Sequence, residues 1–132
     1  MKRYVFDSYA LLVLFRKESG YEKVIEVLEE VGSDKAEGFI AAVNIGEIYY
    51  ITFRKQGRFK ADMAVEAVKS LKLEIEDADL ELSLKAANFK AQYKMSYADC
   101  FAAALALQKD AVLVTGDKEF KQLEKKIKIK WI

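Results

Sequence analysis

An α/β fold, with a short parallel sheet wrapped by helices, is what the sequence predicts. Short apolar runs of strand type alternate along the chain with longer segments of helical period. The run Ala111-Val112-Leu113-Val114-Thr115 is apolar nearly throughout, as a strand covered on both faces should be. Helical segments outnumber strands, so helices must supply most of the cover, with right-handed crossovers between parallel strands.

Each element has its own signal. Tyr4-Val5-Phe6 is a short apolar strand; after Asp7-Ser8, Ala10 to Phe15 continues as a mostly buried helix. Tyr21, Val24, Ile25, Leu28 and Val31 recur at helical spacing, and Gly32 is expected to stop that helix. Gly38-Phe39-Ile40-Ala41 reads as a strand. Asn44 to Lys55 is helical, with Ile45, Ile48, Tyr49 and Thr52 on one side, and Gly57 ends it. Phe59 to Leu71 is a helix and Leu73-Glu74-Ile75 a short strand. Asp79 to Tyr93 is helical, and Ser96 opens a further helix through Leu107. The alanines of that helix (Ala102, Ala103, Ala104, Ala106) would let it lie close to a sheet. Gly116-Asp117 turns the chain into a short helix from Lys118, and Ile127 to Ile132 alternates lysine with isoleucine as a final strand.

Length and composition bound the function. A chain of 132 residues fits one domain, residues 1–132, and 52% apolar residues are ample for a core. The net charge of +1 supplies no global attraction to a polyanion, so any such binding needs a local patch or a metal. The absence of histidine excludes histidine general bases, Ser-His-Asp and Cys-His catalysis, and His-based zinc sites. A single cysteine, Cys100, excludes an intrachain disulfide and a CxxC motif, and suggests a reducing compartment. The apolar run Ala10–Phe15 is too short to span a bilayer and is bracketed by Asp7 and Arg16-Lys17-Glu18. Nothing reads as a signal peptide or anchor, so a cytoplasmic location without membrane contact is expected.

Four scattered acids carry the chemistry. Asp7 and Asp117 each follow a strand and precede a helix; Ser96-x-x-Asp99 and Asn44-x-x-Glu47 resemble capping boxes. Capping and the helix dipole explain any one of them, at roughly 0.5–2 kcal/mol each. Taken together they suggest more. In an open parallel sheet, strand C-termini and helix N-termini share one edge, where ligands bind. Asp7 and Asp117 are placed on that edge by their strands, and the helices of Glu47 and Asp99 can point at it. Two carboxylates ~5 Å apart repel by roughly 3 kcal/mol at an effective dielectric near 20. No Lys or Arg adjoins Asp7, Glu47 or Asp99, and only Lys118 neighbours an acid of the set. A hard divalent cation is the natural compensation, and oxygen-only ligands select Mg²⁺ or Mn²⁺. Such a site suits phosphodiester hydrolysis.

The motifs then resemble the PIN domain family. Val5-Phe6-Asp7-Ser8-Tyr9-Ala10-Leu11-Leu12 resembles its opening, Asn44-Ile45-Gly46-Glu47-Ile48 its second acidic motif, Ser96-Tyr97-Ala98-Asp99-Cys100-Phe101 its third, and Leu113-Val114-Thr115-Gly116-Asp117-Lys118-Glu119-Phe120 its fourth. Order and spacing hold over nearly the whole chain, and the compact size resembles VapC-type toxins of toxin–antitoxin pairs. The resemblance implies a PIN-like three-layer fold and a Mg²⁺- or Mn²⁺-dependent endoribonuclease in which Asp7, Glu47, Asp99 and Asp117 hold metal and orient water. It also implies a homodimer and a small antitoxin that blocks the acidic pocket. Thr115 matches the family's Ser/Thr position, as a hydroxyl that orients a carboxylate or water, or as a plain β-branched strand end. Asn44 and Ser8 are supporting candidates for which helix capping is the simpler role. Glu119 stands where relatives carry another acid; a solvated first-turn acid is the simpler reading.

Other features have plainer explanations. Cys100 beside Asp99 reads as a small buried core residue, since no histidine can activate it. Lys125-Lys126 and Lys128/Lys130 suit an edge strand guarded by lysines better than an RNA contact. Arg54, Lys55, Arg58 and Lys60 around Gly57 suit solvated helix ends or backbone phosphates equally. Tyr49, Tyr50, Phe53 and Phe59 divide between core and a partner surface. An aspartyl phosphatase would need an acid two residues after Asp7, and Tyr9 stands there. A PIN-like binding module with a dead site, and a nuclease of RNA processing rather than a toxin, stay open.

Overall fold

The computed structural model describes residues 1–132. In chain order the elements are β1 (Lys2–Phe6), α1 (Ser8–Arg16), α2 (Tyr21–Gly32), β2 (Ala36–Ala41), α3 (Ala42–Gln56), α4 (Arg58–Ser70), β3 (Glu74–Glu76), α5 (Leu80–Gln92), α6 (Tyr97–Gln108), β4 (Val112–Thr115), a 3₁₀ helix (Lys118–Leu123) and β5 (Lys128–Trp131). The α/β alternation is as the sequence predicts. No helix is long and apolar enough to cross a membrane.

The five strands form one sheet in the order β3-β2-β1-β4-β5. Every pairing is parallel, so all strand C-termini lie along one edge. β1 is central, with Tyr4 opposite Gly38 of β2 and Val112 of β4. The two-residue period of a strand divides its side chains between the faces. Val5, Phe39 and Leu113 join a core with Leu82, Phe89 and the α6 alanines. Tyr4, Phe6, Ile40 and Val114 join a second core with Leu11, Val24, Val27, Ile48 and Val68. The sheet is thus the middle of three layers, with α5 and α6 on one side and α1 to α4 on the other. Ala102, Ala103, Ala104 and Ala106 are all buried, and their small side chains let α6 lie against the sheet as expected.

Two local expectations are corrected. α2 does end at Gly32, but as its last helical residue and not as a left-handed cap; the left-handed turn falls on Asp34 (φ 62°), whose short polar side chain tolerates it. Asn44 does not cap α3. That helix begins at Ala42 directly from β2, with Ala41 as an N-cap that makes no side-chain bond, so Asn44 lies inside the first turn. Gly57, at φ 88°, ends α3 and opens α4, a conformation only glycine adopts freely. β5 lies at the sheet edge and presents Lys128 and Lys130, the guarded edge that the alternation predicts.

Candidate active site

The C-terminal edge of the sheet gathers the acids. β1 delivers Asp7 at its end, where it is fully buried as the N-cap of α1. Its Oδ1 accepts from the Ala10 N–H at 2.8 Å, and its Oδ2 accepts from the Thr115 hydroxyl. Thr115, at the end of the neighbouring β4, is also fully buried, and its Oγ1 accepts from the Asp117 N–H at 3.0 Å. Its hydroxyl therefore joins Asp7 to the loop carrying Asp117, which a plain strand end would not do. Asp117 in turn caps the 3₁₀ helix, its Oδ1 accepting from the Glu119 N–H at 3.0 Å.

Asp99 is the third residue of α6, and its N–H donates to the Ser96 Oγ at 3.1 Å, the capping half of the expected box. The residue is only 6% exposed, and its carboxylate is not used in the cap. Oxygens of Asp99, Asp117 and Glu119 lie within 4.8 Å of one another. Glu119 is thus both an exposed first-turn acid, as expected, and a member of the tightest trio, because the 3₁₀ turn begins immediately after Asp117.

Glu47 stands on α3, half-buried, and accepts from the Ser8 hydroxyl. The capping role expected of Ser8 belongs instead to Asp7; Ser8 is the first residue inside α1. Asn44, one helical turn before Glu47, is fully buried and donates from Nδ2 to the Ala98 carbonyl at 3.1 Å, which ties α3 to the residue before Asp99. Its Oδ1 is buried without a partner. The capping signal missed this role because the bond crosses 54 positions of sequence.

The electrostatics of the acids follow from their burial and proximity. Burial pushes the Asp7 carboxyl up to about 7, against the opposing bonds from Thr115 and Ala10; the charges of Asp117 and Glu47 raise it further. Asp99 is pushed up to about 9 by burial first, then by the charge of Asp117 and a hydrogen bond with it, and by Asp7 and Glu47. No ion pair reaches Asp7, Glu47, Asp99 or Asp117; the six in the molecule lie elsewhere. The donor set is therefore all oxygen, anionic when ionised and uncompensated by protein cations, which fits a hard divalent ion. Cys100 is buried and its thiol is held up by burial, as an inert core residue would be.

A small α/β domain with acids at the C-terminal sheet edge is the class that fold and site define. The PIN domain family matches residues 4–126, and the chain belongs to that family. Its fold is similar to that of VapBC2 from Rickettsia felis, solved bound to a promoter DNA fragment (17% identity, 98% of each chain, TM-score 0.76). It is similar also to DNA-bound VapBC from Salmonella typhimurium (18% identity, 98% of each chain, TM-score 0.74). A third is VapC20 of Mycobacterium tuberculosis, described as a Sarcin-Ricin loop cleaving toxin (14% identity, 90% of this chain and 93% of that chain, TM-score 0.72). No curated protein matches the chain by sequence.

Proposed function

We propose that the protein is a metal-dependent endoribonuclease, acting through residues 1–132 as one unit. The observation that carries this is the convergence of Asp7, Glu47, Asp99 and Asp117 at one sheet edge with no protein cation among them. These four would hold Mg²⁺ or Mn²⁺, with Glu119 beside Asp99 and Asp117 as a further oxygen donor. When bound, such an ion supplies Lewis-acid stabilisation of the charge that builds on a phosphodiester during hydrolysis. The chain's own residues do the rest. Thr115 and the Ala10 N–H fix both oxygens of Asp7, and each oxygen keeps lone-pair capacity for a ligand. Ser8 fixes Glu47, and Asn44 fixes the first turn of α6 that carries Asp99. The carboxylates also offer acceptors for the proton of an attacking water.

The biological role we infer is that of a toxin held by a small antitoxin, as in the VapBC complexes whose fold the chain shares. An acidic pocket is suited to block by a partner's basic side chain. The exposed Tyr50, Phe53, Phe59 and Met63 on α3 and α4 offer apolar surface for an antitoxin or for a second copy in a homodimer. Incubation of a mixed small-RNA pool with Mn²⁺, with EDTA, and with Asp99→Asn protein purified identically tests the activity. Fragments that need both metal and Asp99 are expected; cleavage retained by Asp99→Asn would remove the assignment. Induced expression in bacteria tests the role. Growth arrest that Asp99→Asn abolishes is expected, and relief by the adjacent upstream reading frame would identify the antitoxin.

A further inference from the structure

Gly116 separates Thr115 from Asp117, yet its backbone does not need glycine, since the glycines at positive φ are Gly20 and Gly57. What Gly116 supplies is space. A Cβ there would stand 2.5 Å from Cε1 of Tyr9, 3.1 Å from its Cδ1 and 3.2 Å from its Cζ. The ring of Tyr9 therefore rests against the glycine backbone, while the residue stays 44% exposed. The support beneath it is fixed by the bonds from the Asp117 N–H to Thr115 and from the Glu119 N–H to Asp117, both 3.0 Å. On the other side Tyr9 follows Ser8, which is bonded to Glu47. The ring thus meets the loop that carries Asp117, from a helix whose first residue is bonded to Glu47. The other two exposed tyrosines near site acids are already engaged: the Tyr97 hydroxyl donates to the Ser83 carbonyl at 3.4 Å and its ring meets Phe101 edge-on at 5.0 Å, while the Tyr50 ring is covered by the Arg54 guanidinium at 5.0 Å.

We propose that Tyr9 is the platform on which an unpaired base of the RNA substrate stacks, next to the phosphodiester presented to the acids. This rests on the ribonuclease reading above. The site is rich in negative charge and poor in cations, so attraction to the phosphate backbone cannot by itself hold the strand. Stacking on an aromatic face is independent of that charge and tolerant of base identity. Tyrosine has only two side-chain torsions to order, and Gly116 restricts the ring before substrate arrives, so little freedom is lost on binding.

The test uses single-stranded oligoribonucleotides carrying 2-aminopurine at successive positions, bound with Mn²⁺ in an Asp99→Asn background, together with KM and kcat of otherwise unaltered enzyme. One position is expected to be quenched on binding. Tyr9→Ala should abolish that quench and raise KM by about 10-fold or more, the size of a lost base–aromatic stack. Tyr9→Phe should retain both, and Gly116→Ala, which displaces the ring, should follow Tyr9→Ala. Unchanged melting temperatures would show that the folds are intact. Wild-type quench and KM in Tyr9→Ala would overturn the proposal and leave the ribonuclease reading standing. A Tyr9→Phe defect equal to that of Tyr9→Ala would overturn it in favour of a hydroxyl contact. Failure of the unaltered enzyme to cleave any RNA would overturn the ribonuclease reading and the proposal with it.

Discussion

Asp7 and Asp99 are buried acids whose native environment favours the protonated form. Removing their charge should therefore stabilise the metal-free protein even as it destroys the site. Asp7→Asn and Asp99→Asn are expected to melt higher than wild type at pH 8 in EDTA, by about 3–5 °C for each kcal/mol gained, and to lose cleavage. Differential scanning fluorimetry decides the point; a lower melting temperature for both would mean that the acids are structural. Thr115 behaves oppositely. Its hydroxyl serves Asp7 and Asp117 together in a fully buried setting. Thr115→Val should cost about 1–3 kcal/mol through the orphaned Asp117 N–H, and Thr115→Ser should restore most of it in urea unfolding.

At the scale of elements, α6 is placed by two devices that differ in kind. Ser96 caps it locally, and Asn44 ties its first turn to α3 across the site. Ser96→Ala should lower stability by about 1 kcal/mol, the ordinary loss of an N-cap. Asn44→Leu removes one bond but also the partnerless Oδ1, so its effect on stability should stay within about 1 kcal/mol. If the tie positions Asp99, Mn²⁺ affinity should fall nonetheless, and calorimetric titration would show it. Unchanged affinity would mean that α6 is held by packing alone. The capping boxes show what sequence can and cannot give. Ser96-x-x-Asp99 announced its helix correctly because a cap is local, whereas Asn44-x-x-Glu47 has the same form and a different structure. β2 runs directly into α3 there, and the Asn44 amide turns to a neighbour distant in sequence.

For the whole molecule, the site links stability, pH and metal. With Asp7 raised to about 7 and Asp99 to about 9, the native state holds more protons than the unfolded chain between those values and the ordinary carboxylate range near 3.8. Stability must then fall as pH rises through that window, since the unfolded state binds fewer protons there. The contribution is fully present below about pH 4 and exhausted above about 9. Denaturant melts of metal-free protein from pH 5 to 9 should show this fall, less steep in Asp99→Asn. Millimolar Mn²⁺ should reverse it, because the proposed site exists only in the folded chain, and binding there near pH 7 should release protons. Calorimetry in buffers of different ionisation enthalpy measures that release; none would contradict the raised carboxyls.

The sequence by itself determined the alternation of strands and helices, the parallel sheet, and the placing of Asp7 and Asp117 after strands. These follow from local periodicity and from the fact that strands of one sheet present their ends together. Tertiary structure alone decided which polar groups meet. Ser8 with Glu47, Asn44 with Ala98, Thr115 with Asp7 and Tyr9 with Gly116 are all contacts between separate elements. Such contacts depend on strand order and helix packing, which bring distant residues together without leaving any periodic mark along the chain.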